Sequence, residues 1–382
     1  MKKSIISLAF VMPLVFMGCG EDVDKKAEKG GDSFAGSAGK SLVKKLTVRG
    51  NLVQESQYPD GDYEKKSDKI DATLNIVYDK GRMKQILADG DYRYTYDSKD
   101  GYGEEHGEID GKGDGKMEFV YKGDTVVLKG DVNASFTQKV VEKDEDGIMT
   151  DKHEERRSAL GSGEYSYKLQ DKVVVSGNGS FRMASDPETG RERFTCTYDD
   201  LGQLASVRDS DDPEYKIGYE WKDGNIVGMV WEWNENKSFM RKLFRNLVSE
   251  KNPKAAKAVS DWIIDDDMKV EYSGKENKCN VDFIYLMACL YEPMAAGQFI
   301  GVFGFMGKES KNLPARILTR DEKWNDQTGV YEYGEWKEYL KFEYSFTDGG
   351  LVKKIKVKKV EKDVDGYGTE IETYEGSMEF AY

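Results

Sequence analysis

Four acidic side chains near the end of the chain, Glu361, Asp363, Asp365 and Glu372, come closest to a recognisable chemistry. Glu361-x-Asp363-x-Asp365-Gly366 with Glu372 follows much of the spacing of an EF-hand loop, in which oxygen ligands wrap calcium around a tight glycine turn. The stretch departs from that pattern at its first position, where Asp is expected, and it leads into a strand pattern instead of a helix. Glu142-x-Asp144-x-Asp146-Gly147 starts the same way and lacks the final Glu. Asp-Gly turns arise freely at hairpin tips, so both stretches read as solvated turns and no metal is assigned. The two histidines, His106 and His153, sit in acidic turn segments without a second His at i+4 or a nearby Cys that would complete a zinc site. No G-x-S-x-G elbow, Walker loop or dinucleotide glycine pattern occurs. Paired carboxylates about 5–9 Å apart cleave glycosides, but among 71 acids spacing singles out no pair. The expectation is a protein with no catalytic residues and no cofactor.

A different chemistry is written at the amino terminus. Lys2 and Lys3 precede an apolar run, Ile5 to Met17, and Gly18-Cys19 follows at once. This is the layout of a secretory signal, with a run too short to span a bilayer. A cysteine directly after a small residue there resembles the lipobox of bacterial lipoproteins, with Phe16 where Leu or Val is commoner. The resemblance implies cleavage after residue 18 and acylation of Cys19, each buried methylene contributing about 0.8 kcal/mol to membrane attachment. Residues 19–41, rich in Gly, Ser and charge, read as a flexible tether. The acids Glu21, Asp22 and Asp24 resemble the surface-export signal of Bacteroidota lipoproteins, so the protein is expected at the outer membrane, facing the cell surface or the periplasm.

Of the remaining cysteines, Cys196, Cys279 and Cys289, a Cys279–Cys289 bridge and buried free thiols are both compatible with the spacing. With 57 basic and 71 acidic residues in 382, net −14, nucleic acid is excluded as a partner. Forty glycines, 23 tyrosines and only 7 prolines suit strands joined by tight turns.

Those strands must position whatever site exists. One unit recurs from residue 42 onward: an aromatic strand end, a short turn bearing Gly or Asp, then an alternating strand. Its copies read IVYDKGRMKQI (76–86), FVYKGDTVVLKG (119–130), YSYKLQDKVVVSG (165–177), CTYDDLGQLASV (196–207), YEWKDGNIVGMV (219–230) and YSFTDGGLVKKI (344–355). Longer acidic connections recur between them, at 97–121, 142–167 and 361–382. The pattern predicts an all-β fold for residues 42–382, a large antiparallel meander forming a curved sheet or barrel. Two stretches break it. Phe239, Met240, Leu243, Phe244, Leu247 and Val248 share a helical face, and Asn252-Pro253 resembles a helix start, giving a helical insertion near 238–262. A second apolar stretch carries Gly297, Gly301 and Gly304 at helical spacing, giving a helix near 294–306.

Residues 283–317, with GKESKNLPARI (307–317) their most specific part, and YLKFEYSFTDGGLVKKIKV downstream resemble the Bacteroidota domain of unknown function numbered 4595. That family is described as having a porin-like fold. The similarity covers about residues 190–358 and implies a secreted β-meander lipoprotein without an assigned activity. The carboxy-terminal Met378-Glu379-Phe380-Ala381-Tyr382 resembles the insertion signal of outer-membrane barrels, yet Met117-Glu118-Phe119-Val120-Tyr121 nearly repeats it in mid-chain. A water-soluble sheet is therefore expected. The functional expectation is a non-enzymatic anchored protein that binds or scaffolds at the envelope, with a glycan, a lipid or an envelope protein as partner. Trp221, Trp231 and Trp233 are candidates for a ligand surface. The alternatives are a carrier of an apolar ligand and a carboxylate-based glycan hydrolase.

Overall fold

The computed structural model describes residues 40–184, 189–211, 215–234, 262–284, 301, 304–320, 322–325, 330–365 and 368–382. Sixteen antiparallel strands close into one barrel, and two more form a separate hairpin. In chain order the strands are β1 (Lys45–Gln57), β2 (Tyr63–Asp79), β3 (Arg82–Asp100), β4 (Gly103–Lys122), β5 (Thr125–Asp144), β6 (Met149–Gln170), β7 (Val173–Met183), β8 (Thr189–Tyr198), β9 (Leu204–Asp209), β10 (Tyr215–Lys222), β11 (Asn225–Asn234), β12 (Trp262–Glu276), β13 (Asn312–Thr319), the hairpin β14 (Glu322–Asn325) and β15 (Val330–Tyr333), β16 (Lys337–Phe346), β17 (Val352–Asp365) and β18 (Gly368–Ala381). Neighbours in sequence pair in space, β16 joins β13, and β1 on β18 closes the ring. The all-β meander expected from the alternation is thus a closed barrel. No named element among the described residues is a helix. Of the expected helix near 238–262, residues 238–261 lie outside the described residues and Trp262 opens β12. Of that near 294–306, residues 294–300, 302 and 303 lie outside them, and residues 304–306 form a turn.

Period-two alternation sorts the wall into two faces. Ile355, Met378, Val48, Ala72, Gly90, Gly113 and Ala134 stand opposite one another around the inner face. One residue further along, Lys356, Ser377, Arg49, Asp71, Asp91, Lys112 and Ser135 make the corresponding outer path. Ile355, Met378, Val48, Ala72 and Ala134 are buried, whereas Asp91 and Lys112 are 66% and 82% exposed. The barrel is apolar inside and charged outside.

A sixteen-stranded ring is too wide for wall side chains to fill. The β12–β13 connection fills one end. Phe305 meets Phe119 of β4 at 5.8 Å between ring centres, while Phe283 meets Phe380 of β18 at 5.7 Å and Tyr344 of β16 at 6.3 Å. The connection therefore touches parts of the wall four to six strands apart around the ring. Leu42, Val43, Cys279, Val281, Ile284 and Met306 complete this plug, all almost fully buried.

The six repeats all form turns at the plugged end, and their aromatic endings have a common task. Strand pairs that are joined at the far end lie open here, and an aromatic side chain on one strand donates to a carbonyl at the start of its partner. Tyr78 donates to Val43 O, Tyr121 to Met83 O, Tyr198 to Val174 O, Trp221 Nε1 to Leu204 O, Tyr272 to Ile226 O, Tyr344 to Pro314 O and Tyr382 to Val352 O, at 2.6–3.0 Å. The β5–β6 pair differs: the Tyr167 hydroxyl is buried without an acceptor. Tyr121 and Tyr382 serve as such clasps while Phe119 and Phe380 touch the plug, so the carboxy-terminal aromatic motif and its mid-chain copy do the same structural work.

The opposite end is uneven. β17, β18 and β1–β6 rise well beyond their short neighbours β7–β11, forming a tall wall. Among the described residues no strand pairs with the outer edge of β6 at 149–159 or of β17 at 359–365. Asp151, Lys152, His153, Glu154, Glu155, Arg156 and Arg157 crowd the former edge, a charge density that discourages pairing with another chain.

Candidate functional site

The concave face of the tall wall carries several inward polar groups. Rising along β3 the buried inward positions change from Met83, Ile86 and Ala88 to Tyr92 and Tyr94, followed by the half-buried Tyr96, and small residues face the rings. At Gly107, opposite Tyr96, a Cβ would lie 2.0 Å from the ring, and at Gly111, opposite Phe136, 2.7 Å. Glycine there lets each aromatic ring lie flat against the neighbouring strand.

Three polar clusters stand on this face. Tyr92 donates to Asp68 Oδ1 at 2.5 Å, and burial holds the Asp68 carboxyl above the usual carboxylate range against the pull of that bond. Tyr96 donates to Glu105, and burial followed by the neighbouring carboxylate raises the phenol. The third cluster centres on Lys359, whose Nζ lies 2.5 Å from Glu372 and 2.8 Å from Glu361 and 4.2 Å above the Tyr339 ring. Gln54 donates to the other Glu372 oxygen at 2.9 Å. Burial alone would raise the Glu372 carboxyl, but the Lys359 and Gln54 bonds outweigh it and the group sits below its ordinary value. For Lys359 burial is again the largest influence and lowers it, yet the bonds to Glu361 and Glu372 leave it raised.

Two members of the calcium-like set are therefore brought together, but around an ammonium. Glu361 and Glu372 stand directly opposite on β17 and β18 and both turn to Lys359. Asp363 pairs with Glu370 and Asp365 with Gly368 along the hairpin; Gly366 lies outside the described residues. In the second acidic loop, Asp144 Oδ1 accepts the backbone N–H groups of Asp146 and Ile148, shaping the turn itself. No cluster of metal-ligating side chains occurs among the described residues.

The other sequence candidates are scattered. Nδ1 of His106 faces Asp97 Oδ1 at 2.6 Å on the outer face of β4, and His153 sits beside Asp151 on β6. Cys19 and Cys289 lie outside the described residues. Cys279 is a free, buried thiol, which removes the Cys279–Cys289 bridge; Cys196 is likewise free, and burial pushes both thiols up to about 12. Trp221 is a clasp, and Trp231 and Trp233 stand on β11 opposite Ile217 and Tyr215. Sequence reasoning missed Lys359, although a signal exists: Ile355, Val357 and Lys359 occupy one strand face, and a lysine in the apolar phase asks for a buried partner.

No family model and no curated protein matches the chain. Among solved structures it is similar to a porin-like protein from Bacteroides uniformis, at 13% identity and a TM-score of 0.41 over 89% of this chain and 96% of that one. It is also similar to the translocator domain of the autotransporter NalP from Neisseria meningitidis (6% identity, TM-score 0.30, 88% of each chain) and to the transport unit of the autotransporter AIDA-I from Escherichia coli (8% identity, TM-score 0.31, 98% of each). The likeness is one of barrel to barrel. It carries no residue and no activity across.

Polarity decides more. A lipid-spanning barrel turns an apolar band outward, and each Lys or Arg at the bilayer midplane costs about 2–4 kcal/mol. Around the middle of the tall wall the outward residues are Lys358, Glu375, Asn51, Lys69, Arg93, Asp110 and Thr137. Arg49 pairs with Asp71 at 2.9 Å, Lys354 with Glu379 at 2.8 Å and Lys358 with Glu375 at 2.9 Å across that surface. Among the described residues, the tall wall shows charged pairs where a lipid-facing wall shows an apolar band.

Proposed function

We propose that this chain is a water-soluble barrel of the bacterial outer membrane, anchored through acylated Cys19, that acts by binding at the concave face of its tall wall. The observation carrying this reading is the polarity of the barrel, charged outside and apolar inside, with one end stopped by the plug. Such a molecule neither lines a pore nor faces lipid. Tyr96, above the buried Tyr92 and Tyr94 and beside Glu105, and Tyr339, beside Lys359, are half-buried and bring aromatic rings and hydrogen-bonding groups together, a combination suited to a glycan or another polar ligand. Each inward acid described above is engaged by a phenol or an ammonium, which supports binding over carboxylate-based hydrolysis. Phe283, Phe305 and Met306 occupy the plugged end, which takes room there from a carrier's apolar cargo. Membership of a Bacteroidota family of porin-like fold, which the sequence of residues 190–358 suggests, belongs to the same proposal.

The anchor also gives an orientation. Ser41 N donates to Lys278 O at 3.0 Å, Asn280 N to Ser41 O at 3.1 Å, and Val43 N to Asn280 Oδ1 at 2.8 Å, so the chain leaves the barrel across the plug. A tether of some twenty residues reaches about 25 Å on average, holding the plugged end towards the membrane and the tall wall away from it. Fractionation of cells carrying Cys19→Ser tests the anchor. The variant is expected in the soluble fraction; retention in membranes after a high-salt wash overturns it.

A further inference from the structure

The outer face carries a groove that touches the binding wall only at Tyr339 and Lys359. Towards the open end, β16 parts from β17: their last pair is Lys341 with Lys358, and Lys337 and Glu338 of β16 pair with β13 instead. The parting leaves a concavity of about 710 Å³ whose lining includes Arg49, Tyr339, Lys341, Lys354, Lys356 and Lys358. The chain as a whole is net −14, so this cationic strip runs against its general charge.

Two features of the strip make poor sense as structure alone. Lys341 and Lys358 stand directly opposite each other, and like charges in that relation destabilise a sheet. Lys354 and Lys358 have carboxylate partners, Glu379 and Glu375, but Lys341 and Lys356 have no ion-pair partner among the described residues. The outward lysines of β17 recur every second residue, so they lie about 6.6 Å apart in a row.

We propose that this groove holds a linear acidic polysaccharide. The row of ammonium groups matches carboxylates repeated along a chain, and Tyr339 supplies a flat face for a sugar ring. Glu338, Glu343 and Glu375 also line the groove; they accept hydrogen bonds from sugar hydroxyls, which a nucleic-acid backbone offers sparsely. A bilayer surface cannot enter a concavity of this size. The rest of the acidic molecule does not prevent the contact, because charges more than about 8 Å away are screened at physiological ionic strength. This surface meets the concave wall at Tyr339 and Lys359, but its lysine row lies on the other side of β17.

The test is titration of the full unacylated Cys19→Ser chain, without detergent, with polygalacturonate, with dextran, with phosphatidylglycerol vesicles and with single-stranded DNA. Polygalacturonate is expected to bind with an affinity that falls as sodium chloride rises, and at least tenfold more tightly than the other three. Lys341→Gln with Lys356→Gln is expected to weaken it at least tenfold while leaving the melting temperature unchanged or about 1 °C higher, since an opposed charge pair is relieved. Lys341→Gln alone reads the same direction more gently. Equal binding by the double variant, equal binding of dextran, vesicles or DNA, or no binding of polygalacturonate at low salt overturns the proposal.

Discussion

The two ends of the barrel solve opposite problems with the same residue type. At the plugged end tyrosine is a fastener: its ring packs inward and its hydroxyl closes a strand pair onto a backbone carbonyl, as at Tyr121, Tyr198 and Tyr382. On the tall wall tyrosine bonds to carboxylates instead, as at Tyr92 and Tyr96. Partners of the first kind are backbone and keep the ring closed; partners of the second kind are ionisable side chains on a half-buried face. One end thus fastens the strands to one another, while the other holds its rings on groups that can gain or lose a proton.

The largest expected effect lies in the plug. Phe305 is 1% exposed against Phe119, so Phe305→Ala should cost about 3–5 kcal/mol in urea unfolding. A loss below 1 kcal/mol would mean that the plug is not part of the cooperative core.

On the tall wall, Lys359→Ala should cost about 2 kcal/mol by leaving Glu361 and Glu372 opposed without their cation. The same substitution gives the calcium question a sharp form. Chelator should leave the melting temperature of the unaltered protein unmoved, and calcium should raise that of Lys359→Ala. The linkage sign follows from Glu372, whose folded value is depressed: its contribution is present above its ordinary range near pH 4.5 and is lost as pH falls through the lower folded value. Lys359→Ala should abolish that acid-side loss.

A pH effect of the opposite sign belongs to the plugged end. The Glu309 side chain is 1% exposed and lies 2.6 Å from Lys40, at the point where the tether meets the plug; its second oxygen has no partner. Burial outweighs the attraction of Lys40 and pushes the carboxyl up to about 8. An acid raised on folding binds more protons when folded, so stability falls as pH rises from about 4.5 to 8. Glu309→Gln should therefore raise the melting temperature at pH 8 by a few degrees and leave it unchanged near pH 4.5. Equal effects at both values would show that Lys40 keeps the carboxylate charged throughout.

The smallest effects sharpen the role of the clasps. Tyr121→Phe removes a hydrogen bond to Met83 O and should cost about 1 kcal/mol, whereas Tyr167→Phe removes a hydroxyl without an acceptor and should be neutral or stabilising. Equal losses would mean that the aromatic repeat acts through packing alone.

Much of this fold was legible because period-two alternation and Asp-Gly turns act locally, and every strand pairs with a sequence neighbour except where β16 skips the β14–β15 hairpin. Closure was not legible: β1 meets β18 across more than 300 residues, and no local pattern encodes a ring. The clasps were half visible, since the aromatic endings form a repeat but their acceptors are carbonyls that every residue carries. At the site, the approach of Glu361 and Glu372 followed from hairpin spacing, yet what they bind depended on Lys359, two positions before the acidic loop. The groove at Lys341 and Lys358 depends on where two strands part, which composition does not record.

The most direct test of the central claim is to purify the unacylated Cys19→Ser chain without detergent and follow it by analytical ultracentrifugation and circular dichroism. A barrel that is charged outside and plugged within should sediment as a single monodisperse species with β-sheet ellipticity and melt cooperatively. Aggregation or loss of β structure until detergent is supplied would contradict it, and would mean that the outer wall meets lipid.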